Sequence, residues 1–276
     1  MTEERKIKIA VIDMNDGAPN QGMGGILSIL DQYQEEMGLH LSTDIFDLRQ
    51  KNELPDTGYD VYISSGGPGS PFDGVGQQWE MNFFKLLDDI DTYNQSGAGP
   101  KKYVFLICHS FQMACRKYGL GTVSRRKSPA FGIFPISMTA EGIQDPVFKG
   151  LPNPFYAVDS RDWQVIYGEE NDFEDHIAEV AAIEKYRPHV DRERCIMSIR
   201  FSKEVMGTQF HPEADPLGMK TYLLKEDRKA SIIEDHGEEK YLDMLNSLDD
   251  PERISLTKKL ILPNFLNEAI QQQIEA

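Results

Sequence analysis

Along the first 120 residues the apolar positions fall into short runs separated by stretches of helical spacing. Residues 7–12 form a run rich in β-branched side chains, which predicts a strand. A polar, glycine-bearing loop over residues 13–25 follows. Ile26, Ile29, Leu30, Tyr33 and Met37 then recur at helical spacing up to Gly38, a residue that ends helices well. Residues 41–48 and 59–64 predict further strands, 79–91 an amphipathic helix, and 104–107 a wholly apolar strand of the buried kind. Residues 110–118 are again helical and stop at Gly119. Strand alternating with helix predicts an α/β fold with a mostly parallel central sheet and helices on both faces.

Beyond residue 130 the helical signal fades, and strands are predicted at 132–139, 155–159, 177–186, 195–201 and 205–210. Residues 215–255 are polar and charged, with apolar sets at Tyr222–Leu224 and Tyr241–Leu248 that need burial. The charged stretch between them, 225–240, is expected to stay solvated. Asp249, Asp250 and Pro251 mark a break before a last helix at 258–270, which Pro263 should interrupt.

Charge changes the picture mainly by exclusion. The chain of 276 residues carries 29 basic and 45 acidic residues, a net −16. Such a surface repels phosphate backbones and anionic lipid, so neither nucleic acid nor a membrane is an expected partner. No apolar run reaches the roughly 20 residues of a bilayer helix, and the N-terminus has no signal-peptide core. Three cysteines are an odd and sparse set for a disulfide framework. Together these features predict a cytoplasmic protein.

Three segments carry candidate chemistry. In VFLICHSFQMACRKYG an apolar strand runs into Cys108 and a helix starts at once, the context of a nucleophile elbow. A helix N-terminus behind the sulfur favours the thiolate. A lone cysteine of this kind is more often a small core residue. In GTQFHPE, His211 and Glu213 are two apart, so on an extended backbone both side chains leave on one side. That spacing suits a base and the carboxylate that orients it; alone, the motif reads as a surface turn. SGGPGSP, at 65–71, has glycines that let backbone N–H groups approach a ligand.

In this order the three segments resemble the class I, triad-type glutamine amidotransferase domain. Residues 141–164 are similar to that family's stretch leading into its substrate contacts, and LILPNFL at 260–266 resembles its closing helix. The resemblance covers roughly residues 6–213 plus the last helix. It implies a flavodoxin-like fold and one domain over 1–276, with 215–255 a helical insertion that leaves the chain beside Glu213. It also implies Cys108 as nucleophile, His211 as base and Glu213 as its orienter. Gly67 and the N–H of His109 match the oxyanion-hole donors, and Gln112, Asp162 and Trp163 the substrate-binding positions. The implied reaction is hydrolysis of the glutamine side-chain amide through a Cys108 γ-glutamyl thioester. Ammonia would pass to a separate synthetase partner, since the chain after Glu213 is too short for an ATP-using domain. No cofactor and no metal is implied, and an oligomer is allowed.

Two other readings stay open: a stand-alone γ-glutamyl hydrolase or peptidase, and a non-catalytic binding protein on the same fold. The family's elbow usually has small residues two before and two after the cysteine, where this chain has Leu106 and Ser110. Leu106 is expected to narrow the pocket or shift the sheet, and Cys108 buried beneath it would be the mark of the non-catalytic reading. Arg161 stands where the family often has histidine. Asn20 and Gln21 are candidates to face the site, His109, His176 and His189 read as surface histidines, and Cys115 and Cys195 as core.

Overall fold

The computed structural model describes residues 6–18, 21–168, 173, 177–188, 193–250 and 253–275. Among the described residues nine strands form one sheet: β1 (Ile7–Asp13), β2 (Leu41–Asp47), β3 (Val61–Ser64), β4 (Tyr103–Ile107), β5 (Thr122–Met138), β6 (Phe155–Ile166), β7 (Glu179–Glu184), β8 (Ile196–Arg200) and β9 (Val205–Thr208). The helices are α1 (Gly22–Met37), α2 (Leu48–Lys51), α3 (Gln78–Ser96), α4 (His109–Tyr118), α5 (Ala140–Gln144), α6 (Pro216–Leu223), α7 (Glu226–His236), α8 (Glu238–Asp249) and α9 (Ile254–Glu275).

The strand order is β2-β1-β3-β4-β9-β8-β7-β5-β6. Pairings from β2 through β9 are parallel, and those from β9 through β6 antiparallel. The sheet is therefore mixed, which corrects the expectation of a mostly parallel one. The physical reason is that β8 returns to β9 through a short turn, Phe201 to Glu204, and short links force antiparallel pairing.

Alternation along the parallel strands divides the core in two. Ile7, Ile9 and Val11 face α1 and α9, burying Ile26, Ile29, Phe265 and Leu266 among others. Ala10, Ile12, Val104 and Leu106 face the other way, toward α3 and α4. Phe265 is fully buried against Tyr103 and Phe105, which removes enough apolar surface to contribute roughly 2–3 kcal/mol. That packing explains why α9 runs unbroken through Pro263, against expectation. The lost backbone bond costs less than exposing the buried side of α9.

The strand ends differ from the sequence reading where polar residues hide a strand. β5 begins at Thr122, because Ser124, Arg125 and Arg126 belong to a strand pairing with β6 that no apolar alternation announces. Residues 216–223, 226–236 and 238–249 are helical, and the expected break follows α8, although Pro251 itself lies outside the described residues. Their apolar sides, including Leu223, Ile232, Tyr241 and Met244, pack on Ile133 and Val158 of the antiparallel half. The stretch 225–240 is mostly exposed, with Ile232 the buried exception.

Candidate active site

β4 delivers the chain to Cys108, and α4 departs from His109. Cys108 sits at φ 50°, ψ −96°, in the left-handed region that non-glycine residues rarely occupy. Such strain persists only where the surroundings over-determine it. Here they do: the Cys108 N–H donates to Thr208 of β9 at 2.7 Å, and the Ser110 hydroxyl donates to Ser64 of β3 at 3.0 Å. The same Ser110 oxygen accepts from the Ile107 N–H at 2.9 Å. Serine in place of the usual small residue therefore pins the elbow. Leu106 is fully buried in the α3–α4 side of the core and lines neither cavity beside Cys108, so it does not narrow the site.

His211 follows β9 and is fixed by its backbone N–H, which donates to Val158 of β6 at 2.9 Å. Its Nδ1 lies 2.8 Å from Glu213 Oε1. Glu213 is 2% exposed, and its other oxygen, Oε2, has no hydrogen-bond partner among the described residues. Burial by itself would lower the His211 pKa. The adjacent Glu213 carboxylate and the Cys108 sulfur outweigh it and hold the imidazole well above its ordinary value. A Cβ on Gly66 would fall 2.9 Å from the His211 ring and 3.4 Å from the Cys108 Cβ. The bare glycine thus lets ring and cysteine share one wall.

The loop over residues 65–71 completes that wall. A Cβ on Gly67 would lie 2.2 Å from the Met14 carbonyl oxygen, so only glycine fits there. Ser65 accepts from the Met14 N–H at 2.9 Å. Arg49 donates to Pro68 O at 2.7 Å, and Arg116 donates to Pro71 O while pairing with Glu80 at 2.9 Å. These contacts hold Gly67 beside the N-terminus of α4. There the His109 N–H, in the first turn, has no acceptor within the helix.

Cys108 lies between two cavities. One, of about 430 Å³, is lined by His211, Glu213, Gln21 and an apolar wall from β5, β6, α6 and α8. The other, of about 550 Å³, is lined by Gln112, Arg161, Asp162, Trp163, Asp235 and His236. Gly67, Pro68, Phe131 and Ser160 border both. Of the residues singled out in the sequence, Gly67, Gln112, Asp162, Trp163, His211 and Glu213 line one or both of these cavities with Cys108, and α6, α7 and α8 stand on the rim.

The family model "Glutamine amidotransferase class-I" matches residues 24–230. The chain belongs to that family. No curated protein matches it. Among solved structures, a glutamine amidotransferase from Thermotoga maritima shares the fold with a TM-score of 0.67 at 14% identity, over 96% of this chain and 98% of its own. A glutamine amido transferase from Methylobacillus flagellatus gives 0.64 at 12%, over 97% and 96%. The glutaminase domain of Trypanosoma brucei CTPS, solved with bound acivicin, gives 0.56 at 13%, over 96% and 94%. The family match runs into α7, so it does not delimit 215–255 as an insertion.

Sequence reasoning missed several residues of this amidotransferase-family site. Gln209 is fully buried, donates to Cys108 Sγ at 3.6 Å and accepts from Gln112 at 3.0 Å. Its place in QFHPE was visible, but only the fold turns it toward the sulfur. Arg161 is buried and pairs with Asp159 at 2.7 Å and Glu184 at 3.7 Å. It also donates to the Trp163 carbonyl at 3.2 Å, which the Gln112 amide shares at 3.3 Å. His109 is not a surface residue: it is 1% exposed, and burial, reinforced by Arg49, pushes its pKa down to about 3. Helix α4 packs too closely on the sheet for its first side chain to reach solvent. Cys115 and Cys195 are buried as expected, and burial raises both thiols. Gln21 reaches Gly218 of α6 at 3.4 Å, whereas Asn20, His176 and His189 lie outside the described residues. Among the described residues no set of three acidic, cysteine or histidine groups gathers to hold a metal ion, and no helix is long and apolar enough to cross a membrane.

Proposed function

We propose that the protein cleaves the side-chain amide of glutamine or a γ-glutamyl compound through a thioester on Cys108. The observation that carries this reading is the meeting of a strained cysteine at a helix N-terminus with a histidine whose far nitrogen is bound to a buried carboxylate. His211 takes the thiol proton, and the thiolate attacks the amide carbon. Gly67 and His109 N–H groups receive the oxyanion. His211 returns the proton to the leaving nitrogen, the C–N bond breaks, and water then releases glutamate from the thioester. Gln112, Asp162 and Trp163 hold the α-amino and α-carboxylate end in the larger cavity. Helices α6 to α8 act as a lid on an otherwise single domain. A thiol nucleophile suits a reducing compartment, so the cytoplasm belongs to the proposal.

Delivery of ammonia to a synthetase partner is the second reading, favoured by family membership. The reaction itself is tested by incubating the protein with a glutamine-analogue electrophile and mapping the adduct. Cys108 should be labelled first, since Cys115 and Cys195 are buried thiols with raised pKa values. Equal labelling of all three in the folded protein would refute a catalytic Cys108.

A further inference from the structure

Resting on the Cys108–His211 reading, we propose that the preferred substrate is a γ-glutamyl amide of an uncharged, apolar amine, not free glutamine or a γ-glutamyl peptide. The path of the leaving nitrogen fixes the orientation of the substrate. In thioester formation the C–S bond forms, the C–N bond breaks, and the proton leaving the thiol reaches the amine through His211. The amine must therefore face His211, and any substituent on it points into the cavity that His211 and Glu213 line. The glutamyl end then occupies the other cavity, where Gln112, Asp162 and Trp163 stand and His211 does not.

Ammonia needs almost no space, yet the amine-side cavity measures about 430 Å³. Its wall is Phe131, Val158, Met219, Tyr222, Leu223 and Met244, supplied by the sheet and by α6 and α8. Such a surface gains by covering an alkyl or aromatic group and offers little to an ion. Charge decides between classes of amine. Among the described residues lining this cavity none is lysine or arginine, whereas Glu213 and Asp215 are both there. Lys258, outside the lining, is already paired with Asp215 at 2.9 Å. An amino-acid leaving group would bring its carboxylate into a lining without lysine or arginine, where His211 is already paired with Glu213 and Lys258 with Asp215, at a cost in desolvation that no new ion pair offsets. A neutral benzyl or butyl group brings no such penalty.

The test compares kcat/KM for L-glutamine, γ-glutamyl-methylamide, γ-glutamyl-butylamide, γ-glutamyl-benzylamide and γ-glutamyl-alanine on the full-length protein. Efficiency should rise with apolar size, benzylamide exceeding glutamine by about tenfold or more, and γ-glutamyl-alanine should fall below both. Met219→Lys, at a half-buried lining position, should lower the benzylamide-to-glutamine ratio and raise the relative rate on γ-glutamyl-alanine. Met244→Ala, which removes bulk without adding charge, should lower the same ratio. Cys108-dependent turnover that favours glutamine, or a benzylamide preference untouched by both substitutions, overturns this assignment and leaves the amidase reading standing. Absence of any turnover, with no adduct on Cys108, overturns both.

Discussion

The two halves of the sheet do different work at the same sulfur. The parallel half, β2 to β9, places Cys108, His109 and Gly67 mainly through its main chain, with Ser65, Ser110, Arg49 and Arg116 bracing it: strand ends, a tight loop and a helix start converge at one edge, as α/β folds do. The antiparallel half, with α6 to α8 packed on it, contributes side chains. It carries Ser160, Arg161 and Trp163 on β6, Phe131 on β5, and the apolar wall from α6 and α8. His211 bridges the halves, since it follows β9 yet is tied to Val158 of β6. On the proposed function, the difference separates chemistry from selectivity. A reactive centre set by main-chain geometry tolerates little variation, while walls made of side chains can change with the substrate.

That division can be broken experimentally. The largest effect should follow Cys108→Ala, which removes the nucleophile and keeps the Cβ, so the backbone strain stays as it is. Turnover should fall by at least about 10⁴-fold, with the thermal midpoint little changed. Residual turnover near wild type would remove Cys108 from the reaction. Arg161→Ala should instead strike the antiparallel half, leaving Asp159 and part of Glu184 uncompensated in the interior. Urea titration should register a loss of about 3–5 kcal/mol; a change under 1 kcal/mol, on the order of a surface pair, would show that Arg126 and Arg187, which also pair with Glu184 at 3.1 and 2.6 Å, suffice.

His109 gives the parallel half its own pH dependence. Its folded pKa of about 3 lies below the ordinary 6.5, so between these values the unfolded chain binds a proton that the folded one refuses. Its contribution is fully present above pH 6.5 and is lost as the pH falls toward 3, on the order of 5 kcal/mol in total. The groups facing it, Arg49, Arg116 and Asp73, modify this without reversing it. His109→Leu should flatten the acid limb of stability measured by urea midpoint from pH 7 to 4, and an identical slope in the variant would contradict a buried neutral imidazole.

The smallest effect sharpens the bridge between the halves. Glu213→Gln removes the charge that holds the His211 pKa up, so His211 should titrate lower by NMR. With its folded pKa raised, His211 stabilises the fold fully below about 6.5 and less as the pH rises through the folded value. The variant should show that alkaline loss at lower pH, and kcat should fall about 10–100-fold. An unmoved titration would mean that Cys108, not Glu213, dominates the imidazole.

The parallel strands, the elbow and the order of its three motifs were legible because each depends on residues close in sequence. Apolar runs announce buried strands, a glycine-rich loop announces backbone approach, and His211 and Glu213 are two residues apart. The family could be read from that order. What the chain does not display is any relation between distant segments. The pairing of β8 with β9 that makes the sheet mixed, the buried state of His109, the turn of Gln209 toward the sulfur, and the Arg161–Asp159–Glu184 cluster all depend on which surfaces meet. So does the apolar wall beside His211, where Met219, Leu223 and Met244 read in sequence only as helical spacing in a charged stretch. Local pattern fixes how a segment buries its own apolar side. Only packing decides which polar groups are trapped with it, and that burial sets charge, pKa and the shape left for a substrate.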